Sequence, residues 1–142
     1  MTQVKAPGAG LGYVGSFSCA ISRRSSLMKK PTLLSPTESG TCSLLEPVQS
    51  VAQGIISRAV LTTPALRLTL FHFAAGQELS EHTSKARALV QILTGTCQFT
   101  VDGKTHTLKP GDLLHMPPGA PHAVTAPEPF SMLLTQVTEP AA

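Results

Sequence analysis

Gly111-Asp112-Leu113-Leu114-His115-Met116-Pro117-Pro118-Gly119-Ala120-Pro121-His122 is the stretch whose reading decides the fold of this 142-residue chain. Pro110-Gly111 opens it as a turn. Leu113 to Met116 is an apolar run of strand length, and Pro117-Pro118-Gly119 ends it. Two successive prolines have no amide to give to a ladder, so they cannot lie inside a sheet and must turn the chain. Outward from this stretch the same rhythm continues. Asp102-Gly103 sits between the runs Phe99–Val101 and Lys104–Leu108, a hairpin signal because both turn residues must take positive φ. Ala88 to Leu93 is apolar except for Gln91 and stops at Gly95. Ala65 to Phe73 reads as a strand, with Leu66, Leu68 and Leu70 alternating with Arg67 and Thr69, and Gly76 punctuates it. Val51 to Val60 reads as one or two strands or a short helical turn. Val124 and the run Phe130 to Val137 complete the pattern. Short strands at close spacing, with no long amphipathic helix, predict an all-β sandwich or barrel.

Composition narrows the function classes. Hydrophobic residues make up 42% and charged residues 13%, so the chain is no charge-rich disordered segment. Five Phe, one Tyr and no Trp leave too few aromatics for a nucleic-acid stacking platform. The formal charge is +3, but no acidic residue precedes Glu38, while Lys5, Arg23, Arg24, Lys29 and Lys30 do. Between Val48 and Val137 six basic residues face five acidic ones, so the pI of about 9.0 comes from the N-terminal part and describes no basic groove for a polyanion. No apolar run reaches the roughly 20 residues of a bilayer-crossing helix. Neither a nucleic-acid nor a membrane partner is therefore expected. Cys19, Cys42 and Cys97 are odd in number and lack C-x-x-C spacing, which excludes a disulfide framework and a zinc ribbon and points to reduced thiols and a cytoplasmic location.

Residues 1–30 are rich in Gly, Ser and Pro and read as loop. They are either an acid-free leader of the transit-peptide kind or a segment ahead of a start at Met28. The expected organisation is a poorly ordered arm over residues 1–43 and one domain over residues 44–138. Two familiar catalytic signatures are absent: there is no G-x-S-x-G elbow and no phosphate-binding G-x-x-x-x-G-K. Cys97 reads as a buried structural thiol.

Two spacings remain. Gly76 is followed by His82, Ser84, Ala88 and Gly95; Gly111 is followed by Pro117, Gly119, His122 and Ala126. This pattern resembles the cupin superfamily, whose motifs read G-x5-H-x-H-x3–4-E-x6-G and G-x5-P-x-G-x2-H-x3-N. The resemblance spans residues 45 to 138 and implies a single jelly-roll barrel, the cupin double-stranded β-helix. It departs from the family where Ser84 replaces the second His, Ala88 the Glu and Ala126 the Asn. Metal-binding members use three His and one Glu; here the resemblance leaves His82 and His122. Catalytic metal sites usually take at least three protein ligands, so the standard site is broken.

His72 offers a repair. If the face of Leu66, Leu68 and Leu70 lines the barrel, His72 points inward with it and completes a set with His82 and His122. The opposing readings are a bulge that turns it outward or a hydrogen-bonded core histidine. His115 faces either the barrel mouth or a partner subunit, and His106 is expected on a solvated strand. The expected ligand pocket is therefore His82, His122, Ser84, His72, Ala88 and His115, with metal ligation by His82, His122 and His72. Ala88, Val90 and Ile92 would make it small and apolar. Glu81, next to His82, is expected on the opposite face.

Two functions follow. One is a small cupin that binds a small molecule, with or without one divalent transition metal ion, and has no turnover. The other is a metal-dependent cupin enzyme (isomerase, dioxygenase or lyase) using His82, His122 and a non-standard third ligand. A purely structural barrel is a third. Ala88 to Leu93 is apolar on both faces and needs an outer cover, either the segment Leu44–Val60 or a second copy; the resemblance implies a homodimer.

Overall fold

A computed structural model describes residues 31–45 and 52–140. The leader and Met28-start readings fall outside the described residues, as does most of the expected arm. Of that arm, Thr32 onward belongs to the compact unit Thr32–Ala142.

Nine strands follow in order: β1 (Ile55–Thr62), β2 (Leu66–Phe73), β3 (Glu78–His82), β4 (Arg87–Thr94), β5 (Cys97–Val101), β6 (Lys104–Leu108), β7 (Leu113–Met116), β8 (His122–Thr125) and β9 (Phe130–Val137). They form a five-stranded sheet ordered β1-β2-β9-β4-β7 and a four-stranded sheet ordered β3-β8-β5-β6. Every pairing is antiparallel. There is no helix among the described residues. Chain neighbours such as β4 and β5, or β8 and β9, lie in different sheets, the crossed connectivity of a jelly roll.

The turns fall where backbone chemistry demanded them. Asp102 (φ 51°) and Gly103 (φ 78°) both take positive φ and close the β5–β6 hairpin. The segment 51–60, open between strand and helical turn, is strand from Ile55; Val51 is outside the described residues. It joins the larger sheet as its edge, so β1 does not lie over the outer face of β4.

Between the sheets the inner faces meet in one core. Phe73, Val90, Ile92, Met116, Phe130 and Met132 come from the larger sheet; Cys97, Phe99, Val101, Leu108 and Val124 come from the smaller. Phe73 stacks on Phe130 with ring centroids 4.6 Å apart and an interplanar angle of 17°. Burial pushes the Cys97 thiol up to about 11, so it is a packed, protonated side chain at neutral pH.

The two motif glycines of the decisive stretch take positive φ, 93° at Gly111 and 84° at Gly119, with open space where a side chain would stand. A β-carbon there meets backbone strain but no neighbour. Gly111→Val and Gly119→Val are each expected to cost about 1–2 kcal/mol, the usual penalty of left-handed backbone. Paired urea melts check this, and unchanged midpoints in both variants contradict it.

Candidate functional site

β3 and β8 build the site by pairing at the edge of the smaller sheet. Their register runs Leu79↔Val124 and then His82↔His122, three residues of β3 against two of β8. One residue is therefore extra: β3 carries a bulge at Ser80–Glu81. In a regular strand Glu81 would share the inward face of Leu79, and His82 would point out. The bulge reverses this, leaves Glu81 exposed and sets His82 beside His122. His122 shares the inner face of Val124 and stands opposite Val101 on β5; both valines are buried.

The two imidazole rings lie 4.2 Å apart, centroid to centroid, tilted by 59°. His122 is 9% exposed, and His82 stands at the open end of the pair. Each ring is oriented the same way. His82 Nδ1 lies 2.9 Å from the Ser80 carbonyl, and His122 Nδ1 lies 2.9 Å from the Ala120 carbonyl. A carbonyl only accepts, so each Nδ1 carries the hydrogen and donates it. Each neutral ring is then left with a bare lone pair on Nε2. Fixing one ring nitrogen on a backbone carbonyl to direct the other at a partner is how proteins aim histidines at metals and ligands.

The loops beside the pair are tied together. Gly119 donates its amide to the Ser84 carbonyl at 2.8 Å, joining the β7–β8 and β3–β4 connections. The Ser84 hydroxyl accepts from the Ala86 amide at 3.2 Å. Among the described residues this expected pocket member bonds within its own turn and to neither histidine. Ala88 is 3% exposed on the inner face with Val90 and Ile92, which are fully buried, so these three pack the core beneath the site.

Two expected members lie elsewhere. His72 pairs across β2–β9 with Ser131, and its Nδ1 is 3.0 Å from the Ser131 hydroxyl. Its neighbours Phe71 and Phe73 face the core, so His72 is on the outer face of the larger sheet and cannot join His82 and His122. The reason is that the leucine face of β2 is the outer one. Arg67 and Thr69, which marked the other face as solvent, lie opposite Gln136 and Leu134, beyond the phenylalanine layer. His115, opposite Leu89, is also on that outer face; its Nε2 accepts from the Arg87 guanidinium at 2.7 Å. Arg87 also holds the Glu139 carboxylate, which lowers that group's pKa. His106 is exposed on β6, as expected.

No third His, Cys, Asp or Glu joins the pair: among the described residues no group of three such side chains is placed to hold a metal ion. The ring orientations suit ligation through Nε2, but the number of donors does not fit a three- or four-ligand centre.

A family model described as the cupin domain matches residues 69–136. A conserved protein of unknown function from Streptococcus pyogenes is 31% identical over 79% of this chain and 98% of its own, with a TM-score of 0.68. A cupin superfamily protein from Desulfitobacterium hafniense is 27% identical over 65% of this chain and 84% of its own, TM-score 0.62. Salicylate 1,2-dioxygenase from Pseudoaminobacter salicylatoxidans shares the fold at 21% identity, TM-score 0.57, over 62% of this chain and 26% of its own. No curated protein matches the chain.

Proposed function

The chain belongs to the cupin superfamily, and we propose that it is a small-molecule-binding cupin domain whose ligand is held by His82 and His122. The observation that carries this reading is the facing pair of imidazoles, buried His122 and exposed His82, each anchored through Nδ1 so that Nε2 is free. A hydrogen-bond donor on the ligand, an N–H or O–H group, satisfies those lone pairs. A protonated ring instead offers Nε2–H to a carbonyl or carboxylate. The apolar residues on the same face, Leu79, Val101 and Val124, suit a compact ligand of mixed polarity.

A second reading is favoured by the same ring orientation: a divalent transition metal bound by both Nε2 atoms, with the ligand itself supplying the missing donors, as a metal-dependent enzyme would require. Bound metal would act there as a Lewis acid. His72 has no part in it, since it lies on the other face of the larger sheet.

The test uses untagged protein. Iron, zinc, manganese and nickel are measured by mass spectrometry before and after reconstitution, and small phenols, amides and carboxylates are screened by thermal shift. His82→Ala and His122→Ala are each expected to weaken binding at least tenfold, the order of one lost charge-assisted or ligating contact. His82→Ala is expected to keep the melting temperature, because the ring is exposed. Metal lost in both variants supports the second reading; ligand shifts without metal support the first. Binding that survives both substitutions, or collapse of His82→Ala, contradicts both.

We further propose a homodimer through the outer face of the larger sheet. Leu66, Leu68, Leu89 and Leu133 are only half-buried there and share that face by register. Leu133→Glu is expected to halve the mass found by sedimentation; an unchanged mass removes this surface from consideration.

A further inference from the structure

We infer that Thr32–Leu34 is a built-in guard on the free edge of β1, and that displacing it lets two copies of the chain pair through that edge. β1 is bonded to β2 on one side only. In an antiparallel pair, residues alternate between bonding toward the partner and away from it. The Gly54 carbonyl accepts from the Ala74 amide, so Gly54, Ile56 and Arg58 bond toward β2. Ile55, Ser57 and Ala59 therefore turn their amides and carbonyls to the free edge.

At Val60 the alternation breaks. The register passes from Ala59↔Thr69 to Leu61↔Leu68, leaving Val60 as an extra residue. That bulge sets two consecutive carbonyls, Ala59 and Val60, on the free edge, which a regular strand does not offer. Two consecutive amides meet them. Leu33 donates to Ala59 at 3.2 Å and Leu34 to Val60 at 2.8 Å. The donors come from a bend, held where the Thr32 hydroxyl donates to the Leu34 carbonyl at 2.6 Å. Val60 is 2% exposed under this cover. Donor bend and acceptor bulge are matched irregularities, so the contact is specific. Among the described residues no other segment bonds this edge.

Without the guard, β1 is an eight-residue edge with one charge and no proline, the make-up of a strand that pairs with its own kind. Antiparallel pairing of two copies about Ser57 sets Ile55 opposite Ala59 and Arg58 opposite Ile56. No like charges meet, and the two larger sheets become one continuous sheet about a twofold axis.

The test is made in the full chain. Leu33→Pro together with Leu34→Pro deletes both amide donors, and the expected result is twice the parent's mass by light scattering at the same concentration. Adding Ser57→Pro, which removes an amide on the free edge that β2 does not use, is expected to restore the parent mass. A folded double variant with the parent's mass, or a doubling that survives Ser57→Pro, overturns the inference. Should the double variant fail to fold, hydrogen exchange of the parent decides. Protected Leu33 and Leu34 amides support the guard, and exchange at unprotected-peptide rates overturns it.

Discussion

Gly95→Ala is expected to lower the unfolding free energy by about 2–5 kcal/mol, the largest effect of any glycine substitution in the described chain. Two costs coincide at this position. Gly95 has φ of 73°, a conformation that charges an L side chain roughly 1–2 kcal/mol. A β-carbon there would also stand 2.1 Å from the Pro129 carbonyl oxygen and 2.8 Å from Phe130 Cα. Those are backbone atoms of the chain entering β9, so relief requires moving the strand that carries Phe130 and Met132 into the core. Overpacking of this kind adds about 1–3 kcal/mol. Next door, Glu128 accepts from the Thr96 amide at 3.0 Å and from its hydroxyl, which ties the same two loops together. Gly76→Ala is the control: φ is 83°, yet nothing lies within 4 Å of the added carbon. Its loss should be confined to the backbone cost. Equal denaturation midpoints for the two variants would show that the approach of Gly95 to Pro129 is not limiting.

In the sequence Gly95 is a motif position and a strand end, and its crowding leaves no local mark, because Pro129 is far along the chain. The difference is general in this molecule. Turns made by proline and glycine are properties of a few adjacent residues, so Asp102-Gly103 and Pro117-Pro118-Gly119 were legible at once. Strand positions from Ala88 to Met116 followed from their punctuation. Which face of a strand points inward is a property of its partners, and there local patterning had less to work with.

The site divides the same way. His122 follows the Pro-Pro-Gly turn at fixed spacing, and its inward face comes with the turn. His82 reaches the same place only through the extra residue at Ser80–Glu81. A bulge leaves no mark in alternation, so simple parity would have exchanged Glu81 for His82; motif spacing selected the right residue where periodicity could not. The carbonyls that orient the rings, from Ser80 and Ala120, each lie two residues before their histidine. Backbone acceptors are invisible to any residue-type reading.

The second strand gives the clearest contrast between the faces, and it can be measured. Phe73→Ala is expected to cost about 3–5 kcal/mol, as large-to-small changes at fully enclosed aromatics do. Phe73 has no exposed surface and stacks on Phe130, so truncation opens a cavity bounded by β9 and β4 that the rigid sheet cannot collapse to fill. Leu68→Ala, on the outer face and half-buried, is expected to cost about 1 kcal/mol, the transfer energy of a partly covered side chain. Leucine alternation in the first half of β2 argued for the reverse order, with Leu66, Leu68 and Leu70 inside. It failed because Arg67 is exposed at the rim of the inner face, opposite Gln136, while Thr69 is half-buried on that face beside core-packed Leu134, so neither marks the outside. The two substitutions therefore weigh the faces directly under urea titration. A Leu68→Ala loss equal to or greater than that of Phe73→Ala would place the leucines inside, return His72 to the barrel and restore a third imidazole to His82 and His122.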